Sequence, residues 1–305
     1  MTVGIFGAGF SGKAIGERLS KTGHDVWGTT RSQDGFDTLR SCGIEPVIFD
    51  GRQVNDQLCA ALAQTTHLVI SVAPPREENT ADPDAPVDPV LIALEDDTMR
   101  TLAPKLQWVG YLSTVGVYGN HDGAWIDENA PLAPTSARSR QRVRAEGEWL
   151  TIGEALGIPV AVFRLSGIYG PGRNGLKTAH EGRSRRVVKK DQVFNRIHNH
   201  DIAVALEAAI ARTASSIFNI TDDEPAPPQD VVAYAHSLLG TAPPPEIDFE
   251  TAELSPMARS FYGENKRVSN ARSKDVLGMD YAYPNYKAAL KRMFEEDTWR
   301  AAPHG

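Results

Sequence analysis

The chain has 305 residues, 41% apolar and 23% charged, a balance that suits a globular protein with a sizeable core. A formal net charge of −7 argues against general nucleic-acid binding, and two cysteines, Cys42 and Cys59, cannot build a disulfide framework. No apolar run approaches the ~18 residues of a membrane span, and no basic stretch precedes an apolar one at residues 1–6, so a cytoplasmic enzyme without a secretory leader is expected.

Short apolar runs alternate with helical periods through the first half, the signature of β-α-β units that build a parallel sheet. Residues 3–6 read as a first strand, followed by a helix with Ile15 and Leu19 on one face. Residues 24–30 read as a second strand, 36–40 as a short helix and 46–49 as a third strand. Leu58, Ala61 and Leu62 mark another helix face. Residues 67–73 are apolar enough for a strand buried on both sides. The Pro- and Asp-rich stretch 74–89 is expected to be an exposed loop. A helix near 90–101, a strand at 108–113, a longer helix ending near Leu156 and a sixth strand at 159–165 follow.

Beyond Leu165 the rhythm loosens. Gly170-Pro171-Gly172 marks a turn, and residues 178–190 are polar and basic. Residues 201–211 read as a helix with Asp201 as its N-cap. A strand at 217–221 and helices at 230–239 and 286–296 complete the pattern. The expected architecture is α/β, a Rossmann-type doubly wound parallel sheet with a smaller C-terminal α+β substrate lobe. Residues 1–165 would form the dinucleotide-binding domain and 166–305 the lobe, with the chain free to cross between them more than once.

Gly7-Ala8-Gly9-Phe10-Ser11-Gly12 is a G-x-G-x-x-G loop between the first strand and the first helix. Its glycines permit a tight turn, close approach of backbone to a diphosphate, and close packing of helix on strand. The helix start then presents free amides and the positive end of its dipole. Gly7, Gly9, Phe10, Ser11 and Gly12 are therefore expected at the cofactor, with Ala73, closing the fourth strand, as a further lining position. An acidic residue ending the second strand would bind the ribose of NAD, whereas an Arg accommodates the 2′-phosphate of NADP. Here Thr30, Arg31 and Ser32 stand there and suit a phosphate, so NADP is preferred and NAD remains open. Asp50 is a candidate for the adenine amino group or a simple turn cap.

Leu112-Ser113-Thr114-Val115-Gly116-Val117-Tyr118-Gly119 follows, then Arg164-Leu165-Ser166-Gly167-Ile168-Tyr169-Gly170-Pro171-Gly172-Arg173 and Arg196-Ile197-His198-Asn199-His200-Asp201-Ile202-Ala203. With the glycine loop these stretches resemble an extended short-chain dehydrogenase/reductase, and more narrowly the NAD-dependent epimerase/dehydratase family that acts on nucleotide sugars. The segment Phe218-Asn219-Ile220-Thr221-Asp222-Asp223-Glu224-Pro225 is also similar. The resemblance implies that Thr114 orients the substrate hydroxyl or carbonyl, with Ser113 beside it. It also implies a Tyr base with a Lys four residues later, neighbours on one helical face. Counting back from Glu146, those two positions hold Arg138 and Arg142.

Arg keeps its proton near neutral pH, so it cannot replace the Tyr as a proton-transfer group. Three readings stay open. Another residue supplies the proton, with Tyr118, Tyr169 and His198 as candidates. Alternatively the arginines bind an anionic substrate and stabilise developing negative charge. Or the protein is a catalytically silent NADP(H)-binding sensor or scaffold. The resemblance further implies that Arg164 and Arg173 lie near substrate and cofactor, with an ion pair at the domain seam as the alternative. His198 and His200 find no third ligand, so no metal is expected. The basic residues Arg183, Arg185, Arg186, Lys189 and Lys190 read as a solvated loop. Phe249, Phe261, Tyr262, Lys266 and Arg267 are expected to supply the pocket for a small-molecule substrate. A homodimer is a further implication of the resemblance, and neither nucleic acid nor membrane is an expected partner.

Overall fold

A computed structural model describes residues 1–75, 85–94 and 96–300, the side chains of 96 and 97 excepted. Seven strands form its sheet: β1 (Thr2–Phe6), β2 (Asp25–Thr30), β3 (Glu45–Ile48), β4 (His67–Ile70), β5 (Trp108–Thr114), β6 (Val160–Leu165) and β7 (Ile217–Ile220). Their spatial order is β3-β2-β1-β4-β5-β6-β7, and every neighbouring pair is parallel. The order reverses between β1 and β4, so the loops leaving these two strands diverge and open a crevice at their carboxyl ends. β4 and β6 are buried along their whole length, as strands covered on both faces must be.

Each face of the sheet carries its own apolar core. On one side the helices Phe10–Lys21 and Asn199–Arg212 pack together over Ile5, Phe163 and Phe218, and Arg18 pairs with Glu207 at 2.6 Å. On the other, Leu58 and Leu62 of Asp56–Leu62 and Trp149 of Ala137–Leu156 cover Phe6, Ile70 and Val162. A third cluster joins helices Gly175–His180, Pro228–Leu238 and Tyr286–Glu295 around Leu176, Ala235 and Leu290. The two halves of the sequence interleave. Strand β7 lies beyond residue 165 yet completes the main sheet, while the short strand Trp125–Ile126 pairs with Arg267–Val268.

Three local expectations change. Residues 76–84 lie outside the described residues, but Val87 and Asp88, expected in an exposed loop, are buried. Their amides donate to the Glu148 carboxylate, which satisfies a backbone that would otherwise need water. The helix expected near 90–101 is two, Pro89–Ala93 and Asp96–Leu102. Within 178–190, part of helix Gly175–His180 and a strand, Arg186–Val188, replace a plain loop, the latter paired with Glu246–Asp248.

Gly28 shows how tightly the first unit closes. A Cβ there would lie 2.8 Å from both the Ala8 Cβ and the Ile44 Cγ2. Gly28→Ala is expected to cost about 1–3 kcal/mol through overpacking. Urea unfolding should show a lowered midpoint with an unchanged slope.

Candidate active site

The glycine loop begins where β1 ends. Gly7 has φ +84°, the left-handed region, and its amide donates to the Thr29 hydroxyl at 2.7 Å. Gly9 N–H turns back onto the Gly7 carbonyl, also at 2.7 Å. Cβ atoms at Gly7 and Gly12 would meet the Val72 amide at 3.0 Å and the Gly7 carbonyl at 2.8 Å. At Gly9 a Cβ would meet nothing nearer than 4.0 Å, so that side of the loop is open. The helix starting at Phe10 has no side-chain cap, and its first internal bond runs from Lys13 N–H to the Gly9 carbonyl at 2.9 Å. Its earlier amides and its dipole therefore face the open side, an arrangement that fits a diphosphate.

At the exit of β2, Thr30 is half-buried while Arg31 and Ser32 are exposed. The Ser32 hydroxyl donates to Asp34 at 3.1 Å, and Arg31 pairs with no carboxylate among the described residues. Asp50 is exposed, and one of its carboxylate oxygens accepts the Arg52 amide at 2.9 Å, a turn cap. Ala73 is exposed just beyond Val72.

Ser113, Arg164 and Asn219 stand opposite one another on β5, β6 and β7. The Arg164 guanidinium grips Glu146 of the long helix, with Nη2 at 2.8 Å and Nε at 3.2 Å from each carboxylate oxygen. It also donates to the Tyr118 hydroxyl at 2.9 Å, and Tyr118 donates onward to Asn219 Oδ1 at 2.7 Å. Ser113 donates to the same Glu146. Arg164 and Glu146 are each only 3% exposed. Burial alone would lower the Arg164 pKa, but the hydrogen bonds and charge of Glu146 outweigh it and hold the guanidinium above its ordinary value. Burial pushes Tyr118 up, partly offset by Arg164.

This network alters several expectations. Tyr118, a candidate proton donor, is fully buried and its hydroxyl is committed on both sides. Ser113 and Arg164, expected at the substrate, are enclosed beside it. The reason is general: a buried guanidinium must have its charge and donors satisfied, and these residues do that.

Thr114 differs from its neighbour. It is half-buried, and its Oγ1 accepts the Gly116 amide at 3.1 Å, which leaves the hydroxyl proton to donate elsewhere. On the helix Ala137–Leu156, Arg142 donates to the Leu112 carbonyl at 2.8 Å and the Tyr111 hydroxyl at 3.0 Å, at the exit of β5. Arg138, one turn earlier, is exposed, with its guanidinium 5.3 Å from the Phe261 ring centre. Nearby, Thr135 donates to Glu264 at 2.6 Å, so residues from the second half close over the start of this helix.

Of the other second-half candidates, Lys266 donates to the Gly119 carbonyl and pairs with Glu264, both at 2.6 Å, and Arg267 donates to the Gly123 carbonyl. Tyr262 stacks on Phe249, which Lys189 and Arg259 flank. The basic run is tied down as well: Arg183 to Glu181, Arg186 to Glu246, Arg185 to the Glu253 carbonyl and Lys189 to the Tyr262 carbonyl. Lys190 is exposed.

His198 stacks on Tyr283 at 3.8 Å and meets the edge of Tyr169 at 5.4 Å. Its Nδ1 accepts the His200 amide at 3.2 Å, so His198 is the N-cap of helix Asn199–Arg212. Burial lowers its pKa to about 3, which leaves a neutral ring at physiological pH. Asp201, expected as that cap, instead sits inside the first turn, fully buried, accepting the amides of Ala282 and Tyr283 at 3.1 Å. Tyr169 is raised well above the usual range by burial, with Asp222 adding to it.

Sequence reasoning missed the structural parts played by Glu146, Asn219, Asp88 and Asp222. The signal for Glu146 was its place four residues beyond Arg142, on the same helical face. Burial holds Asp88 at about 6 and Asp222 at about 8, partly opposed by the hydrogen bond from the Val90 amide and by the charge of Arg196 respectively.

Two predictions follow from these charges. Glu146→Ala leaves Arg164 unpaired in the interior and is expected to cost about 3–5 kcal/mol in urea unfolding. For Asp222 the folded value of about 8 lies above the ordinary 3.8, so folding favours the neutral acid. Its contribution is intact below pH 3.8 and is lost as pH rises through about 8. Asp222→Asn should therefore gain on the wild type in melting temperature across that window and hold a constant lead above it.

A family model described as NAD dependent epimerase/dehydratase family matches residues 4–221. The chain is 28% identical to Protein YeeZ of Escherichia coli (strain K12) over 296 residues, covering 93% of this chain and 96% of that protein. A conserved protein of unknown function from Silicibacter pomeroyi DSS superposes with a TM-score of 0.85 at 44% identity, over 97% of this chain and 99% of that one. UDP-glucuronic acid 4-epimerase from Bacillus cereus, solved in complex with NAD, reaches a TM-score of 0.75 at 15% identity, over 97% and 96% of the two chains. At that identity the likeness concerns the fold. Among the described residues, no helix is long and apolar enough to cross a membrane.

Proposed function

The chain belongs to the NAD-dependent epimerase/dehydratase family, and on that premise we propose that it is an NADP(H)-dependent member acting on a small or nucleotide-linked carbonyl or hydroxyl substrate through an arginine-based site. The observation that carries this reading is the pair Arg138 and Arg142 on the helix beside β5, with Tyr118 sealed into the interior.

When bound, the nicotinamide supplies or accepts a hydride. Thr114 holds the substrate oxygen, because its lone pair already takes the Gly116 amide and its proton is free to donate. Arg138 stabilises negative charge on that oxygen, or docks an acid group, without giving up its own proton. The proton that the substrate oxygen gains when its carbon accepts hydride, or loses in the reverse direction, would be exchanged with bulk solvent, since Arg138 does not release one. Arg142, fastened to the Leu112 carbonyl, fixes the long helix against the exit of β5. At the adenine end, Arg31 and Ser32 suit a 2′-phosphate through charge-assisted hydrogen bonds.

Thr114→Ala and Arg138→Ala should each lower kcat/KM by about 10²–10³-fold, with KM for NADPH little changed. Turnover at wild-type rates in both variants overturns this assignment. Arg31→Ala should weaken NADPH by about 10-fold or more and leave NADH binding unchanged. An equal effect on both coenzymes, or none on NADPH, removes the NADP preference. The missing proton-transfer tyrosine also supports a second reading, a silent sensor of the NADPH/NADP ratio. A sensor must bind the oxidised and reduced forms with different affinity and turn over no carbonyl.

A further inference from the structure

We propose that the substrate is a small aryl carboxylate, its acid group held by Arg138 and its ring by Phe261 and Met257. The proposal rests on the reading that Arg138 and Thr114 face the substrate. Of the two roles given to Arg138, it selects the docking of an acid group.

Arg138 is exposed and forms no hydrogen bond or ion pair among the described residues, and its guanidinium rests 5.3 Å from the ring centre of Phe261. On the same helix, Arg142 donates to the Leu112 carbonyl at 2.8 Å and Arg144 to the Ala85 carbonyl at 2.7 Å. Glu264 meets the start of this helix through the Thr135 hydroxyl and gives its other carboxylate oxygen to Lys266, both at 2.6 Å. That carboxylate is already matched by a cation, so Arg138 is left to meet an anion from outside. A guanidinium lying on an aromatic face keeps its in-plane N–H groups available, in a fork that fits a carboxylate. Ser139, the next residue, packs on the turn that leaves β5. A Cβ at Gly116 would lie 3.0 Å from the Ser139 hydroxyl oxygen, and the Gly116 amide is the one that Thr114 accepts.

Phe261 and Met257 lie four residues apart on helix Pro256–Phe261, and each is 47% exposed. That spacing sets both side chains on one face of the helix. Large apolar side chains left in water beside a cation form a surface that gains by being covered. All three groups favour an aromatic partner: a phenyl ring takes another ring offset or edge-on, a thioether takes a ring edge, and a guanidinium takes a ring face. An aliphatic chain would gain burial there without those contacts. The helix is also held in place. Tyr262, which follows it, is buried and stacks on Phe249 at 5.1 Å, and Arg259 donates to the Ala252 carbonyl at 2.8 Å. A preformed surface of this kind loses little conformational freedom on binding.

The test is calorimetric titration of the full chain, in excess NADPH, with cinnamate, cinnamamide, hexanoate and UDP-glucose. Cinnamate should bind about 10-fold or more tighter than the neutral cinnamamide and about 3–10-fold tighter than the aliphatic hexanoate. Arg138→Gln should bring cinnamate down to the level of cinnamamide, and Arg138→Lys should recover part of the loss. Phe261→Leu keeps the apolar bulk without the ring, so it should close the gap between cinnamate and hexanoate and leave the preference for charge intact. A charge preference that survives Arg138→Gln, or an aryl preference that survives Phe261→Leu, overturns the proposal. So does UDP-glucose binding more tightly than cinnamate. A separate titration with NADPH and NADH distinguishes the two failures. Wild-type protein that binds neither overturns the function proposed above together with this inference, whereas NADPH binding without the preference for an aryl carboxylate overturns this inference alone.

Discussion

A guanidinium taken out of water needs partners for its charge and its donors. Arg164 meets that need at the centre of the sheet, and much of the site follows from how it does so. Ser113, Arg164 and Asn219 share one row across β5, β6 and β7, so three strands are joined by side chains as well as by their ladders. Glu146 descends into this row from the long helix and fixes that helix in rotation. Arg142 and Arg138 lie four and eight residues before it and so occupy nearly the same stripe, progressively nearer the start of the helix. Arg142 thus lies beside the exit of β5 and Arg138 one turn nearer the helix start, against Phe261, while the buried pair engages the hydroxyls of Ser113 and Tyr118.

The consequence for chemistry is a division between permanent and suppressed charge. Burial holds Asp88, Asp201 and Asp222 toward their neutral forms and His198 toward its neutral form. Arg31, Arg138 and Arg173, by contrast, are exposed. In the reading proposed above, guanidinium groups stand where the family resemblance implies a proton-transfer pair. Stabilisation of an oxyanion or docking of an acid group is the chemistry such groups perform well.

The halves of the sequence cooperate at both ends of the crevice. The turn at residues 170–173 reaches Phe10 at the glycine loop, and Phe261 and Glu264 reach the start of the long helix at Arg138 and Thr135. Because β7 belongs to the main sheet and Trp125–Ile126 pairs with Arg267–Val268, these contacts are anchored in shared strands rather than in a flexible seam. That anchoring positions a second-half cation against a first-half loop.

Local pattern alone determined the glycine loop, six of the seven sheet strands to within a few residues, and the seventh as a strand without its place in the sheet. Apolar periodicity and backbone geometry are properties of neighbouring residues, which is why these were legible. That Arg138 and Arg142 take the motif positions of a Tyr and a Lys is implied by the resemblance alone. What the tertiary structure decided was which polar groups are available. Nothing adjacent to Tyr118 announces that Arg164 and Asn219, 46 and 101 residues away, will claim its hydroxyl. Asp201 looks like a cap until residues 282 and 283 bring their amides to it. Hydrogen-bond satisfaction in a buried space is settled by long-range neighbours, and those neighbours exist only once the chain has folded.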